Sequence, residues 1–308
     1  MRTLFAISSL AVFGLFLDTA PAAAQTAGQT STDLCYADSA TSDQTITSCT
    51  KLIQSGTLSG RGLAIVYYNR GIGYEQGSQY DLAIADYSQA LSLDPNYRDA
   101  YNNRGNVYQD KGQHDLAIAD YNQALRIDPT FSKAYNNRGR SYRYEGQYDR
   151  AIADTTQSLQ IDPNYRSAYI NRGLVYICVG RYADAGQDLA HALSLRGNDT
   201  YTVLWLHIAR LRAGVPDGAE YATNAAALPT GDWPGPIVAL YGGGTTAAAA
   251  LAGATSNDQR CEAYYYVGEW QAGQHHADVA RSLFQQAVST CQSTFPESSL
   301  ARAELQRP

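Results

Sequence analysis

The tripeptide Asn69-Arg70-Gly71 returns as Asn103-Arg104-Gly105, Asn137-Arg138-Gly139 and Asn171-Arg172-Gly173, at a fixed step of 34 residues. A recurrence at that period marks an array of helix–turn–helix units rather than a closed globular domain. Other residues ride on the same step. In units beginning at Ala64, Arg98, Ser132 and Arg166, Tyr recurs at positions 4 and 11, Gly at 8 and Ala at 20. Positions 4, 8 and 11 form one stripe of a first helix (A), and 20, 24 and 27 one stripe of a second (B), at helical i+3 and i+4 steps. Gly at 8 and Ala at 20 are small, so the two backbones can approach closely while the tyrosines fill the space on either side. Such a hairpin cannot bury its apolar face alone, so neighbouring units stack.

The pattern resembles the tetratricopeptide repeat (TPR). The second unit supplies every position of that repeat with Tyr101, Gly105, Tyr108, Ala117, Tyr121, Ala124 and Pro129, and the first does so with Tyr67, Gly71, Tyr74, Ala83, Tyr87, Ala90 and Pro95. The third departs at Thr155 and Ser158, and the fourth at Leu189 and Gly197. The resemblance implies an all-α fold, a right-handed TPR superhelix (α-solenoid) of stacked units with a concave inner wall.

The ends and the composition narrow the setting. Arg2, the apolar run Leu4–Leu17 and the small residues Ala22-Ala23-Ala24 read as a secretory signal over residues 1–24, with the mature chain starting at Gln25. The run is short for a membrane span of about 20 residues. No cysteine follows where a lipoprotein would be acylated, so the expectation is an exported, periplasmic protein, soluble after cleavage and without a membrane span. Charged residues are 17% of the chain and the formal net charge is −6, which argues against a nucleic-acid binder with its basic face.

Organisation follows from the repeat frame. Residues 25–42 form a Thr/Ser/Gln-rich flexible leader, and 43–63 a partial N-terminal capping hairpin with a lone helix over Asp43–Gln54. The four TPR units occupy 64–199. In 200–228 the frame persists as Gly214, Ala219 and Ala226 without the Asn-Arg-Gly signature, a degenerate fifth unit. Residues 229–260 are a Pro/Gly-rich connecting loop with a short helix at Ala247–Ala254. The frame resumes in 261–308 with Tyr264, Gly268, Ala280, Phe284 and Ala287, a C-terminal TPR unit and tail.

Export makes cysteine pairing informative. Cys35 and Cys49 would staple the partial hairpin. Cys261 and Cys291 fall at the start of a helix A and the end of its helix B, which antiparallel packing brings to the same end of a hairpin, so a disulfide is expected. A zinc site with His275 and His276 is disfavoured, because those residues sit at the opposite turn, roughly 20 Å away at about 1.5 Å per residue. Cys178, in an apolar run, reads as a buried free thiol.

The segment Trp233-Pro234-Gly235-Pro236 through Tyr241, followed by Cys261–Glu269 and Ser282–Ala287, resembles the bacterial NlpI-like TPR proteins of the cell envelope. That resemblance implies a non-catalytic adaptor that docks peptidoglycan hydrolases or an envelope protease, although those relatives carry an acylated cysteine that this chain lacks.

Candidate binding residues lie on the helix A positions expected to face the inner wall. Position 6 is Asn in four successive units, Asn69, Asn103, Asn137 and Asn171. A side-chain amide both donates and accepts, matching an extended peptide backbone, and the arrangement resembles the asparagine ladder of peptide O-GlcNAc transferases. Asn102, Asn106, Lys133, Asn136, Arg140 and Arg143 complete the candidate peptide-binding set. The fourth unit is instead apolar at Ile170, Leu174, Ile177 and Cys178. That patch is expected to be covered, by a partner or, the favoured reading, by the chain's own Pro229–Tyr241 loop. Arg70, Arg104, Arg138 and Arg172 are expected to pair with Asp86, Asp120, Asp154 and Asp188 across each hairpin, because a buried charge needs a partner.

No phosphate loop, metalloprotease helix or nucleophile elbow is present in the sequence, and no cofactor or metal is expected. The reading is a protein- or peptide-binding adaptor. The alternative is a self-assembling dimer joined through the apolar fourth unit and the N-terminal hairpin.

Overall fold

The computed structural model describes residues 31–37, 39–195, 199–228 and 231–307. The expected signal peptide, the first part of the leader, Gly197 and Pro229 lie outside the described residues. Among the described residues there are helices and turns and no strand.

A short helix α1 (Ser31–Tyr36) lies within the stretch expected as a flexible leader and packs on α2 (Ser42–Ser55). The Cys35–Cys49 disulfide ties the two together. The repeat units follow as hairpins: α3 (Gly60–Gln76) with α4 (Tyr80–Leu93), α5 (Arg98–Asp110) with α6 (His114–Ile127), α7 (Ser132–Tyr144) with α8 (Tyr148–Ile161), and α9 (Arg166–Cys178) with α10 (Tyr182–Leu195). The first unit thus starts at Gly60, four residues inside the segment 43–63 assigned to the cap. The degenerate fifth unit is α11 (Thr200–Arg212) and α12 (Gly218–Ala226). The connecting region is more helical than its Pro and Gly content suggested, with α13 (Gly235–Tyr241) and α14 (Ala247–Ala252). Pro236 sits in the first turn of α13, where a missing N–H leaves no bond unmade. The last unit is α15 (Asn257–Gly273) with α16 (Ala277–Thr290), closed by the Cys261–Cys291 disulfide. The tail forms a final helix, α17 (Pro296–Gln306).

Each hairpin is drawn together where helix A has no side chain. A Cβ placed on Gly71, Gly105 or Gly268 would stand 2.7 Å from Tyr87, Tyr121 or Phe284, the position-24 side chains of the same units. At Gly139 and Gly173 the neighbours are Thr155 and Leu189, at 2.9 Å. The turn between the helices needs a left-handed residue at position 15. Gly112, Gly146, Gly180 and Gly214 supply it with φ of 70–76°, whereas Ser78 (57°) and His275 (63°) hold it in the first and last units.

Two kinds of packing divide the array. The first three units hold several small, separate apolar clusters, such as Ala64, Ala90, Leu91 and Ala100. From the fourth unit onward one continuous cluster runs through Leu174, Leu189, Trp205, Ile237, Tyr266, Phe284 and Leu300. The tail completes it, because α17 packs on α15 and α16 and also on α9, the helix A of the fourth unit.

The cover of the fourth-unit patch is therefore this C-terminal helix, not the Pro229–Tyr241 loop expected from the sequence. Leu300, Ala301 and Ala303 are buried on it. The guanidinium of Arg307 donates to the carbonyl oxygens of Ile177 and Cys178. The loop region instead packs α13 and α14 against α15, with Tyr241 donating to the carbonyl of Tyr266 at 2.8 Å.

These contacts set two opposite expectations for thermal unfolding. Gly105→Ala drives a methyl into the Tyr121 ring and should lower stability by about 1–3 kcal/mol. Ser78→Gly removes the cost of a left-handed non-glycine residue and should raise it by about 0.5–1 kcal/mol. Thermal or denaturant unfolding of both variants, with the melting order Ser78→Gly, wild type, Gly105→Ala, checks the assignment.

Candidate functional site: the inner wall of the repeat array

Position 7 of each of the first four units carries the arginine, and each one meets the aspartate sixteen residues on. Arg70 donates to both oxygens of Asp86 at 2.7 and 2.8 Å, and Arg104 to both of Asp120 at 2.8 Å. Arg138 grips Asp154 at 2.7 Å twice, and Arg172 grips Asp188 at 2.7 and 2.8 Å. The four carboxylates are only 4–7% exposed. The remaining guanidinium nitrogen reaches back into the preceding helix B, to Thr50, Ser88, Asn122 and Thr156 at 2.6–3.2 Å. Tyrosines at positions 4 and 11 flank every arginine with ring centroids 5.5–5.9 Å from the guanidinium carbon. These eight residues are thus held in the framework behind the wall.

The asparagine ladder is present and turned on itself. Asn69 donates to the carbonyl of Cys35 at 3.0 Å and Asn103 to the Tyr68 hydroxyl at 3.0 Å. Asn137 donates to Asn102 at 3.2 Å and Asn106 at 2.9 Å, and Asn171 donates to Asn136 at 2.8 Å. Each amide therefore bonds the unit before it, because position 6 of one helix A faces positions 5 and 9 of its neighbour. Asn102 and Asn136 are buried by the same contacts, with 5% and 3% exposure.

Arg143 is placed differently from the expectation that it faces a peptide. It is 1% exposed beneath the tail, donates to the Ser299 hydroxyl and stands 4.4 Å from the Tyr144 ring. Tyr144 in turn donates to the carbonyl of Thr294, and Ser293 approaches Gly112 of the second unit. The tail thus crosses from the last unit back to the second and third, and closes the lower part of the wall. What remains open includes the exposed Lys133 and Asp110 and the half-buried Asn69, Asn103, Asn106, Asn137, Arg140 and Asn171. Arg140 donates to Gln109 at 2.7 Å. A cavity of about 410 Å³ lies between this wall and the tail, lined by Tyr80, Asp110, Gln292, Thr294, Phe295 and Pro296.

Models of the tetratricopeptide repeat match residues 99–131 and 132–165, and a further TPR-repeat model matches 72–112. The chain carries tetratricopeptide repeats. A TPR protein from Parabacteroides merdae is similar over 79% of this chain and 99% of its own length, at 19% identity and a TM-score of 0.52. Pilf of Pseudomonas aeruginosa is similar over 73% of this chain and 90% of its own, at 21% identity and a TM-score of 0.49. MamA protein covers 52% of this chain and 88% of its own, at 23% identity and a TM-score of 0.47. At 19% identity the likeness to the Parabacteroides merdae protein speaks for the fold alone. A comparison with curated proteins returns no match.

The TPR wall also contains groups that the repeat frame alone did not single out. Glu297 and Glu304 of α17, Arg307 just after it, and Glu262 and Glu269 of α15 bring charge into the apolar half of the molecule. Glu304 accepts from Arg212 at 2.7 Å, while Glu297 accepts from the Tyr266 hydroxyl at 2.9 Å. Pro296 in the first helical turn followed by Glu297 was the available signal of a helix start. Cys178 is buried as a free thiol, and burial pushes it up to about 11. His114, stacked on Tyr144 at 4.9 Å, is lowered to about 4 by burial and by Arg140, Arg143 and Arg302. No group of three or more His, Cys, Asp and Glu suited to a metal occurs among the described residues.

Glu297 yields a pH expectation. Burial, helped by Glu262, raises its carboxyl from 4.5 to about 7, while Tyr266 and Arg143 act in the opposite sense. The native state then holds this proton over a range where the unfolded chain has released it. Its contribution is complete below about pH 4.5 and is lost as pH rises through about 7. Glu297→Gln mimics the protonated acid and keeps an oxygen for Tyr266. The variant should match wild type in acid and melt higher at about pH 8, as thermal unfolding across pH will show.

Proposed function

We propose that the protein is a non-catalytic binding scaffold of the bacterial cell envelope, and that it holds an extended protein segment on the open part of its concave wall. The observation that carries this reading is the tail: the wall of the third and fourth units already holds a segment of polypeptide, gripping its side chains and backbone through Arg143, Tyr144, Tyr182 and the carbonyls of Ile177 and Cys178. Above the tail, the wall of the first three units presents polar groups of the same kind, half-buried or exposed. Lys133 and Arg140 on the third unit and Asp99, Asn106 and Asp110 on the second give that stretch both charges.

The asparagines act in this reading as a preorganised backing, since their amides already join the units. A peptide would draw on their remaining capacity at about 0.5–1.5 kcal/mol per hydrogen bond, with the charged groups adding specificity. Two disulfides support export to an oxidising compartment. Among the described residues no helix is long and apolar enough to cross a membrane. Docking of peptidoglycan hydrolases or an envelope protease, as the NlpI-like resemblance implies, belongs to this proposal. Of the two contacts in the dimer reading, the apolar face of the fourth unit lies under α17, which leaves the N-terminal hairpin to that alternative.

Capture from envelope extract with the immobilised mature chain tests the proposal. Asn103→Ala and Asn137→Ala are poor probes, because both remove bonds between units. Lys133→Glu with Arg140→Gln alters the open wall and should cut recovery of bound partners at least ~10-fold, about 1.4 kcal/mol, with the melting temperature little changed. Equal recovery by wild type and double variant would sink the groove reading.

A further inference from the structure

At the far end of the same wall, the residue at position 6 of the fifth unit is Trp205, where the four preceding units have Asn. Beside it lies a cavity of about 180 Å³ lined by Tyr201, Trp205, Glu262, Phe295, Pro296 and Glu297. Two of these are carboxylic acids, 8% and 2% exposed. Glu262 accepts from the Trp233 indole at 2.7 Å and the Tyr201 hydroxyl at 2.9 Å, and Glu297 from the Tyr266 hydroxyl at 2.9 Å. Neither takes part in an ion pair among the described residues, although every repeat aspartate behind the wall has its arginine. Trp205 is 8% exposed, and its indole N–H has no hydrogen-bond partner.

A pocket walled by Tyr, Trp and Phe rings, with the Glu262 carboxylate beside them outside any ion pair, fits a positive charge that is weakly hydrated and large. A bare metal ion fits poorly: Ca²⁺ takes six to eight oxygens, more than two carboxyl groups offer. At about 30 Å³ per water-sized group the cavity has room for roughly six. We infer that this cavity binds an organic ammonium group, with the cation between the aromatic rings and the Glu262 carboxylate. Two sources share that chemistry: a free amino alcohol, and the amino terminus of a peptide. The inference does not rest on the groove reading, since a small free cation tests it with no peptide present.

The test is titration of the full mature chain, followed by tryptophan fluorescence and calorimetry, with choline chloride, ethanolamine and triglycine, against acetylated triglycine and sodium chloride at matched ionic strength. Saturable binding of at least one of the three amines below ~10 mM is expected, and neither control should reproduce it. Tighter choline or ethanolamine points to the amino alcohol, and tighter triglycine to the peptide amino terminus. Glu262→Gln keeps an acceptor for Trp233 and Tyr201 but removes the charge, and should weaken binding at least tenfold. Trp205→Phe puts a ring of weaker cation–π attraction in place of the indole, and should weaken it severalfold. Absence of saturable binding by all three amines, or wild-type affinity in a folded Glu262→Gln variant, overturns the inference. Should Glu262→Gln fail to fold, Tyr201→Phe and Trp205→Phe both binding like wild type would overturn it instead.

Discussion

The bidentate pair between position 7 and position 23 is the constraint on which the array depends. A carboxylate exposed by only 4–7% is costly without its partner, so each hairpin is stable in the one register that brings arginine and aspartate together. The same guanidinium reaches the preceding helix B, so a single side chain fixes both the fold of a unit and its stacking on the last. Flanking tyrosines cover the cation on both sides and give the two aromatic positions of helix A a second role beside filling space.

That staple ends where the repeat decays. The fifth unit has Leu206 and Ala222 at the two positions, and the last has Val267 and Leu283. From there the molecule is held by one continuous apolar cluster, to which α17 contributes Leu300, Ala301 and Ala303. A solenoid must close its last hydrophobic face. Here the closing element turns inward, over the fourth unit, so that ending the array and covering part of the wall are one event. The polar first half is thereby left with the open surface.

The repeat, the pairing of arginine with aspartate and the position of both cystine bridges were legible because each follows from geometry inside one hairpin. A step of 34 and a separation of sixteen residues are local facts. The place of the tail was not legible, since it joins residues about 130 positions apart and no periodicity speaks of it. Arg143 illustrates the difference. Its repeat position faces the inner wall, as the frame requires, but whether that wall meets solvent or another helix depends on where the chain returns. Asn102 and Asn136 misled for a smaller reason: position 5 faces inward and also meets the next unit's position 6, and the amide pair buries both.

The way α17 is held bears on what the wall can recognise. Its contacts are not chiefly apolar: Arg307 caps carbonyls at the end of α9, Glu304 meets Arg212 and Tyr182, and Ser299 meets Arg143. Polar contacts of this kind fix direction and register, because a shift of one residue leaves buried donors and acceptors unpaired, at a cost of about 1–3 kcal/mol each. An apolar stripe would tolerate such a shift far better. The open wall above is built from the same materials, with amides already committed to one another and charges of both signs at its rim. A surface so constructed selects by pattern more than by area, and a partner that matched its hydrophobicity alone would gain little from it.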